Sequence, residues 1–112
     1  MNKFGAVKTK VAGKTFDSKA EARRYCELKM LQCSGAIAGL TLQVPFELAR
    51  SVKFAGSKRA KPAMKYIADF VYTDIKTGKI VVEDSKGVVT PLFQAKRHWM
   101  LAVHGIDIRL TA

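Results

Sequence analysis

KYIADFVYTDIKTGKIVVEDSKG, residues 65–87, is the stretch that decides the fold of this chain. It predicts two strands joined by a short turn, because apolar side chains recur with a period of two on both sides of a turn-forming segment, Asp74 to Gly78. Both alternating sets of the first strand are largely apolar, which is typical of a sheet covered on both sides. An acid, Asp69, lies in the middle of that strand, where an apolar residue is expected.

The length of the turn determines which acids face each other. If the loop consists of residues 75–78, a common hairpin length, Asp74 pairs with Lys79. The same register then places Asp69 directly opposite Asp84. Two opposed carboxylates on a mostly buried hairpin repel each other, and a bound hard cation with oxygen ligands is the simplest compensation.

Alternation also sorts the residues beside Asp84. Lys86 falls on the same face as Asp84, whereas Glu83 points to the other face. A purely structural interpretation remains open, in which Asp69 and Asp84 form salt bridges with Lys65 or Lys86. The metal interpretation is favoured because the Asp-x-Lys spacing and the cross-strand register agree independently.

Composition limits the class of protein. The chain has 112 residues, of which 48% are hydrophobic, and its mean hydropathy is −0.01. These values predict one folded domain spanning residues 1–112, with a single modest core. No apolar run approaches the ~20 residues of a membrane span and no signal-peptide core follows Met1, so we expect a cytoplasmic protein without membrane contact.

The charge predicts a polyanionic partner. The net charge is +11, and residues 1–66 hold 14 of the 20 Lys and Arg but four of the nine acids. Such an excess attracts a phosphate backbone irrespective of base sequence, although a basic solvated surface is the alternative. The expected nucleic-acid contacts are Lys58, Arg59, Lys61, Lys65, Lys96 and Arg97.

Caps, breakers and periodicity predict the remaining elements. In chain order these are a loose basic arm with a short edge strand (1–15), a helix (18 to about 35), a β-rich segment (37–49), a mobile basic loop (50–62), the hairpin, a second helix (90–105) and a last strand (106–110). Ser18 and Glu21 have the form of a capping box, and Pro45 marks an edge strand or a bend. The predicted class is α/β (α+β), a mixed sheet flanked by helices.

The two cysteines do not predict a disulfide. Cys26 and Cys33 lie seven residues apart on the first predicted helix, which separates them by ~10 Å along its axis. We expect free, buried thiols that take no part in the chemistry.

The hairpin acids resemble the signature of the PD-(D/E)xK nuclease superfamily, with Asp69 as the first acid and Asp84-x-Lys86 as the second part. Other segments are similar to small phage-encoded proteins placed in that superfamily: Phe16-Asp17-Ser18-Lys19-x-Glu21-Ala22-x-x-Tyr25, Leu42-Gln43 and Lys96-Arg97. The similarity covers nearly the whole chain and implies a restriction-endonuclease-like core. The sequence departs from the pattern in lacking a proline before Asp69 and in having Asp rather than the commoner Glu before x-Lys.

The resemblance implies a Mg²⁺-dependent endodeoxyribonuclease, with Mn²⁺ able to substitute, in which Asp69 and Asp84 bind the metal and Lys86 orients the attacking water. Members that cut Holliday junctions carry a further acid on the first helix, and Glu21 occupies that place as a metal ligand or a water-positioning group. The alternative is that Glu21 only completes the capping box of the first helix and has no catalytic role. Gln43 is a weaker candidate.

Several functional alternatives stay open at this point. Branched DNA or recombination intermediates are the substrates that the resemblance implies, and a homodimer would match the two-fold symmetry of a junction, although the sequence marks no dimer face. A non-catalytic nucleic-acid-binding module, in which the acids are structural, is one alternative. An RNA-processing nuclease with the same centre is another.

Overall fold

A four-stranded mixed sheet with a helix on each face forms the body of the fold, and a small hairpin precedes it. The computed structural model describes residues 8–86 and 88–111, and all structural statements concern these ranges. The elements are β1 (Thr9–Val11), β2 (Lys14–Phe16), α1 (Lys19–Cys33), β3 (Ile37–Ala49), β4 (Met64–Asp74), β5 (Ile80–Ser85), α2 (Pro91–His104) and β6 (Arg109–Thr111). The sheet order is β3-β4-β5-β6, antiparallel except for the β5–β6 pair. The predicted α+β class is confirmed.

The β4–β5 hairpin has the register that the turn length predicts. Phe70 lies opposite Glu83 in the ladder, and one further pair in this register sets Asp69 opposite Asp84. At the turn, the Asp74 N–H donates a 2.9 Å hydrogen bond to the carbonyl of residue 79. The acids predicted to face each other therefore do so.

The two helices cover opposite faces of the sheet. On β5, Val82 packs with Phe93 and Met100 of α2, whereas the adjacent Glu83 bonds to Arg24 of α1. Because consecutive strand residues point to opposite faces, α1 and α2 must lie on different sides. The α1 core comprises Phe16, Ala22, Tyr25, Leu28, Ile37, Phe70 and Tyr72. The α2 core comprises Leu48, Tyr66, Ala68, Val82, Phe93, Met100 and Ile108.

At Asp69, strand β4 switches the core into which its alternate side chains point. A strict period of two would direct Tyr66, Ala68, Phe70 and Tyr72 to one side. Instead, the first two belong to the α2 core and the last two to the α1 core. Asp69 thus lies at the point where the strand passes from one core to the other, between two fully buried neighbours.

Strand β3 changes face at the matching position, Gln43. Leu42 packs against the α1 core and Phe46 against the α2 core. The ladder with β4 omits the pair formed by Gln43 and Asp69, and Gln43 has a φ of 52°. This left-handed conformation costs a non-glycine residue roughly 1 kcal/mol or more. The edge position predicted from Pro45 is confirmed, since β3 is the edge strand of the sheet, and the left-handed backbone lies at Gln43 rather than at Pro45.

Both helices begin at the predicted caps. The Ser18 hydroxyl accepts a 3.1 Å hydrogen bond from the Glu21 N–H, and the Thr90 hydroxyl accepts one of 3.1 Å from the Phe93 N–H. Gly105 ends α2 with a φ of 69°. The reciprocal half of the capping box is not formed among the described residues, because no hydrogen bond joins the Glu21 carboxylate to the Ser18 N–H.

One expectation about the flanking segments needs correction. Residues 1–7 of the predicted basic arm lie outside the described residues, as does Gly87, but residues 9–16 form the β1–β2 hairpin rather than a loose arm with an edge strand. The buried Phe16 ring explains this, since it packs 5.0 Å from Tyr25 of α1, centroid to centroid. The basic loop 50–62 is closed by Val52 and Lys61, which exchange two backbone hydrogen bonds, and it contains no helix or strand.

The thiols of Cys26 and Cys33 are free, as predicted, but both are exposed rather than buried. The core-facing side of α1 is formed by Ala22, Tyr25 and Leu28, and this side excludes both cysteines.

Candidate active site

Two aspartates lie opposite each other at the change of face, and each is held by the backbone of the other strand. The Asp69 N–H donates to Asp84 Oδ1 at 3.2 Å, and the Ser85 N–H donates to Asp69 Oδ2 at 2.9 Å. Asp84 is 1% exposed and Asp69 is half-buried. The hairpin register thus fixes both carboxylates through one oxygen each.

The second oxygen of each aspartate has little protein to bind. Asp69 Oδ1 is 3.5 Å from the Gln43 amide nitrogen, at the limit of hydrogen bonding. Asp84 Oδ2 is buried and accepts no hydrogen bond from the described residues. Its neighbour Lys86 forms an ion pair with it, with Nζ 3.2 Å from Oδ2. Two under-bonded carboxylate oxygens therefore adjoin one ammonium group.

Lys86 lies on the same face as Asp84, as predicted from strand alternation. Its side chain reaches α2, where Nζ sits 4.8 Å from the centroid of the Phe93 ring, within range of a cation–π contact. The structural interpretation, in which the aspartates form salt bridges, is therefore partly supported, because Lys86 pairs with Asp84. Asp69 has no ion pair among the described residues.

Glu21 approaches the pair from the first turn of α1. It is 6% exposed, and its charge interacts with both Asp69 and Asp84. No group of three or more Asp, Glu, His and Cys side chains in the described part of the chain is close enough to hold a metal ion. In this geometry, Glu21 acts on the aspartate pair through its field rather than as one of three converging ligands.

The crowded acids hold their protons more tightly than isolated carboxyls. Burial raises the pKa of Asp69 from 3.8 to about 8, and hydrogen bonding to Asp84 together with the charges of Asp84 and Glu21 adds to this effect. Burial, followed by the charges of Asp17 and Asp84, raises the pKa of Glu21 from 4.5 to about 7. Unmatched negative charge at this place is thus costly, as the sequence predicted from two opposed acids.

The donor set fits a hard divalent cation. Mg²⁺ is commonly held by one or two carboxylates together with substrate phosphate and water, and it prefers oxygen ligands. Asp69 Oδ1 and Asp84 Oδ2 are the two oxygens that accept no backbone hydrogen bond from the described residues, and their nearest protein groups are the Gln43 amide at 3.5 Å and the Lys86 ammonium at 3.2 Å. A cation between them would also cancel the charge that raises the pKa of Asp69.

Glu83 points away from the aspartates, as predicted, and has a different role. Its carboxylate is fully buried and accepts two hydrogen bonds from Arg24, at 2.5 and 3.1 Å, and one from the Tyr72 hydroxyl at 2.5 Å. Arg109 donates to the same hydroxyl at 3.3 Å. Because Arg24 follows Glu21 on α1 and Glu83 precedes Asp84 on β5, this ion pair ties together the two elements that carry the acids.

The predicted nucleic-acid contacts fall into separate groups. Lys58, Arg59 and Lys61 are exposed on the loop between β3 and β4. Lys65 and Lys96 line a pocket with Lys86, next to the acids. Arg97 is not brought to the site, since it pairs with Asp107 at 3.4 Å and lines a different pocket.

A second cleft opens on the other side of the acids. It is lined by Lys14, Thr15, Phe16, Asp17, Glu21, Leu42 and Gln43. Lys14 also lines the adjoining pocket with Lys29. Neither lysine is among the predicted nucleic-acid contacts, and the excess of lysines before the first helix is the sequence signal that could have indicated Lys14.

Comparisons with known proteins give the family but no activity. A family model described as a protein of unknown function, DUF1064, matches residues 1–112. A search of curated proteins and a search of solved structures found no match. No helix among the described residues is long and apolar enough to cross a membrane. Because the family model covers the entire chain, the protein belongs to the DUF1064 family.

Proposed function

We propose that this protein is a metal-dependent nuclease that hydrolyses DNA phosphodiester bonds. The observation that carries the proposal is the hairpin pair Asp69 and Asp84, each anchored through one oxygen to the backbone of the opposite strand, with only Gln43 at 3.5 Å from the second oxygen of Asp69 and Lys86 at 3.2 Å from that of Asp84 among the described residues. Lys86, 3.2 Å from Asp84, completes the Asp…Asp-x-Lys arrangement of the PD-(D/E)xK superfamily. The order helix, three antiparallel strands, helix and parallel strand is compatible with a restriction-endonuclease-like core.

The chemistry assigned to these residues is hydrolysis of a phosphate ester. Asp69 and Asp84 would hold a Mg²⁺ or Mn²⁺ ion, which would supply Lewis acidity for the hydrolysis. Lys86 orients that water and stabilises the negative charge that develops on the phosphate. Glu21 positions the water from the side of α1. A P–O bond to the water oxygen forms, the ester P–O bond breaks, and the leaving oxygen takes up a proton.

The charge distribution supports a nucleic-acid substrate. The net charge is +11, and a pocket lined by Lys65, Lys86 and Lys96 and by no acid adjoins the aspartate site through Lys86. Such charge provides affinity for a phosphate backbone without selecting a base sequence. Branched recombination intermediates, which the superfamily resemblance suggests, are the first substrates to test.

The test combines substrates with site variants. Purified protein is incubated with Mg²⁺ or Mn²⁺ and with single-stranded, duplex and four-way-junction DNA and a matched RNA. We expect cleavage of DNA that EDTA abolishes, and we expect Asp69→Asn, Asp84→Asn and Lys86→Ala each to lower the rate by at least about 10²-fold while the circular dichroism spectrum is retained. Asp74→Asn, at the end of the same hairpin, is the matched control and should cleave like the parent.

Two outcomes would replace the proposal. Efficient cleavage of RNA alone would make the protein an RNA-processing nuclease with the same centre. Binding of DNA with no cleavage under any metal condition would favour the non-catalytic module, which the Lys86–Asp84 ion pair also accommodates. In either nuclease case, Asp69→Ala should bind DNA at least as well as the parent, because a negative charge near phosphate is removed.

A further inference from the structure

A pocket of about 240 Å³ adjoins Lys86 on the α2 side of the acids. Its charged lining consists of Lys65 from β4, Lys86 from the end of β5 and Lys96 from α2. No acidic side chain lines it. Three ammonium groups from three different elements thus surround one space, which is an environment for an anion.

Two of these lysines form no ion pair in the described part of the chain, although Glu47 lies opposite Lys65 in the β3–β4 ladder. Neither Lys65 nor Lys96 forms an ion pair with an acid among the described residues, and Lys86 is the member that Asp84 neutralises. Lys96 is half-buried in this position. Because like charges that share one space repel each other, a ligand of opposite charge would stabilise the arrangement.

The rest of the pocket lining is largely apolar, and its exposed side chains could contact a ligand larger than a simple ion. Ile67 is 53% exposed and Leu92 is 62% exposed, and both line the pocket beside the Phe93 ring. The Tyr66 side chain lines it as well, and its hydroxyl is buried without a hydrogen-bond partner. An anion attached to an apolar body would satisfy both parts of the lining.

We propose that this pocket binds the nucleotide next to the scissile phosphate, with its phosphate between Lys65 and Lys96 and its sugar and base against Ile67 and Leu92. Lys86 belongs to both the pocket and the aspartate site, so a strand that places one phosphate at Asp84 places the neighbouring phosphate here. This assignment rests on the proposed nuclease function for the identity of the substrate, but the binding itself does not require cleavage.

The test is a titration of ¹⁵N-labelled protein in EDTA with thymidine 3′,5′-bisphosphate and, separately, with inorganic phosphate. We expect the amide resonances of Ile67, Leu92 and Phe93, which line the pocket, to move, and the bisphosphate to bind about tenfold or more tightly than phosphate. The double variant Lys65→Ala/Lys96→Ala should weaken bisphosphate binding about tenfold or more, because two charge-assisted contacts are lost. Lys76→Ala/Lys79→Ala, at the exposed hairpin turn, is the charge-matched control and should bind like the parent.

The outcomes separate the pocket from the nuclease. Equal affinity for the two probes, or shifts confined to the loop 50–62, would overturn the nucleotide pocket. Pocket binding by a protein that cleaves nothing would support the pocket and overturn the nuclease. Cleavage with an unchanged KM in Lys65→Ala/Lys96→Ala would overturn the pocket and leave the nuclease intact.

Discussion

Replacing Asp69 by Asn should stabilise the metal-free protein, although it removes a predicted metal ligand. The pKa of Asp69 is raised from 3.8 to about 8, so the ionised carboxylate is disfavoured in the folded state. At about 1.4 kcal/mol per pKa unit, the full shift corresponds to an upper limit of roughly 5–6 kcal/mol at pH 8. Relaxation and solvent reduce this figure, and we expect a gain of about 2–4 kcal/mol.

The asparagine can retain the local hydrogen bonds. Its amide oxygen can accept from the Ser85 N–H, as Asp69 Oδ2 does at 2.9 Å, and its amide nitrogen can donate to the Asp84 carboxylate. Asp69→Asn therefore removes a charge without leaving a buried donor or acceptor unpaired. Under this condition the substitution does not destabilise the folded protein.

Thermal melts in EDTA at pH 8 measure the effect. A gain of this size should raise Tm on the order of 10 °C for a domain of this length. At pH 5 the gain should largely disappear, because Asp69 of the parent is then protonated. With Mg²⁺ the parent should gain stability that Asp69→Asn does not, and the difference between them should shrink or reverse. Asp74→Asn makes the same chemical change at the turn and should be neutral.

A single result would refute this reasoning. If Asp69→Asn in EDTA is less stable than the parent by about 3 kcal/mol, the carboxylate is a stabilising structural charge, as a buried ion pair would be. Retained DNA cleavage in the same variant would then remove the metal-centre interpretation altogether.

Three further predictions follow from the described contacts. Glu83→Gln should lower the free energy of unfolding by about 3–5 kcal/mol, measured by urea titration, because it leaves the Arg24 guanidinium without a buried counter-charge; an unchanged midpoint would contradict the ion pair. Replacing the exposed Cys26 and Cys33 together by Ser should change stability by less than about 0.5 kcal/mol and leave any cleavage intact, whereas loss of cleavage would show thiol chemistry. In EDTA, the contribution of Asp69 to the free energy of unfolding should be largest below about pH 4 and be lost as the pH rises to about 8, since its folded-state pKa is raised, so the stability advantage of Asp69→Asn over the parent should grow across this interval; an advantage that does not change with pH in the melts would show that the pair is already neutralised.

Local chemistry made much of the site predictable from the sequence. The turn between β4 and β5 is short, so its length alone determines that Asp69 faces Asp84. The caps at Ser18 and Thr90 are set by side chains three residues from the groups they bind. These features depend on a few neighbouring residues, and the structure contains them as predicted.

Non-local features were not predictable in the same way. The change of face at Gln43 and Asp69 has no glycine, asparagine or proline to mark it, and it arises because two strands must bury residues against α1 at one end and α2 at the other. The pairing of Arg24 with Glu83 joins residues 59 positions apart. No periodic pattern along the chain contains information about such a contact.

The Arg24–Glu83 ion pair also bears on how faithfully the central strands align during folding. Glu83 and Asp84 are adjacent acids, so a slip of β5 by one residue would exchange one carboxylate for the other and would present the wrong one to each face. The neighbouring valines are nearly interchangeable, and apolar burial alone discriminates weakly between the two alignments. Arg24 and the Tyr72 hydroxyl both bind the Glu83 carboxylate, and a slipped alignment would offer them the shorter Asp84 side chain instead. This salt bridge, although remote from the chemistry, would thus stabilise the strand register in which Asp69 faces Asp84 relative to the register slipped by one residue.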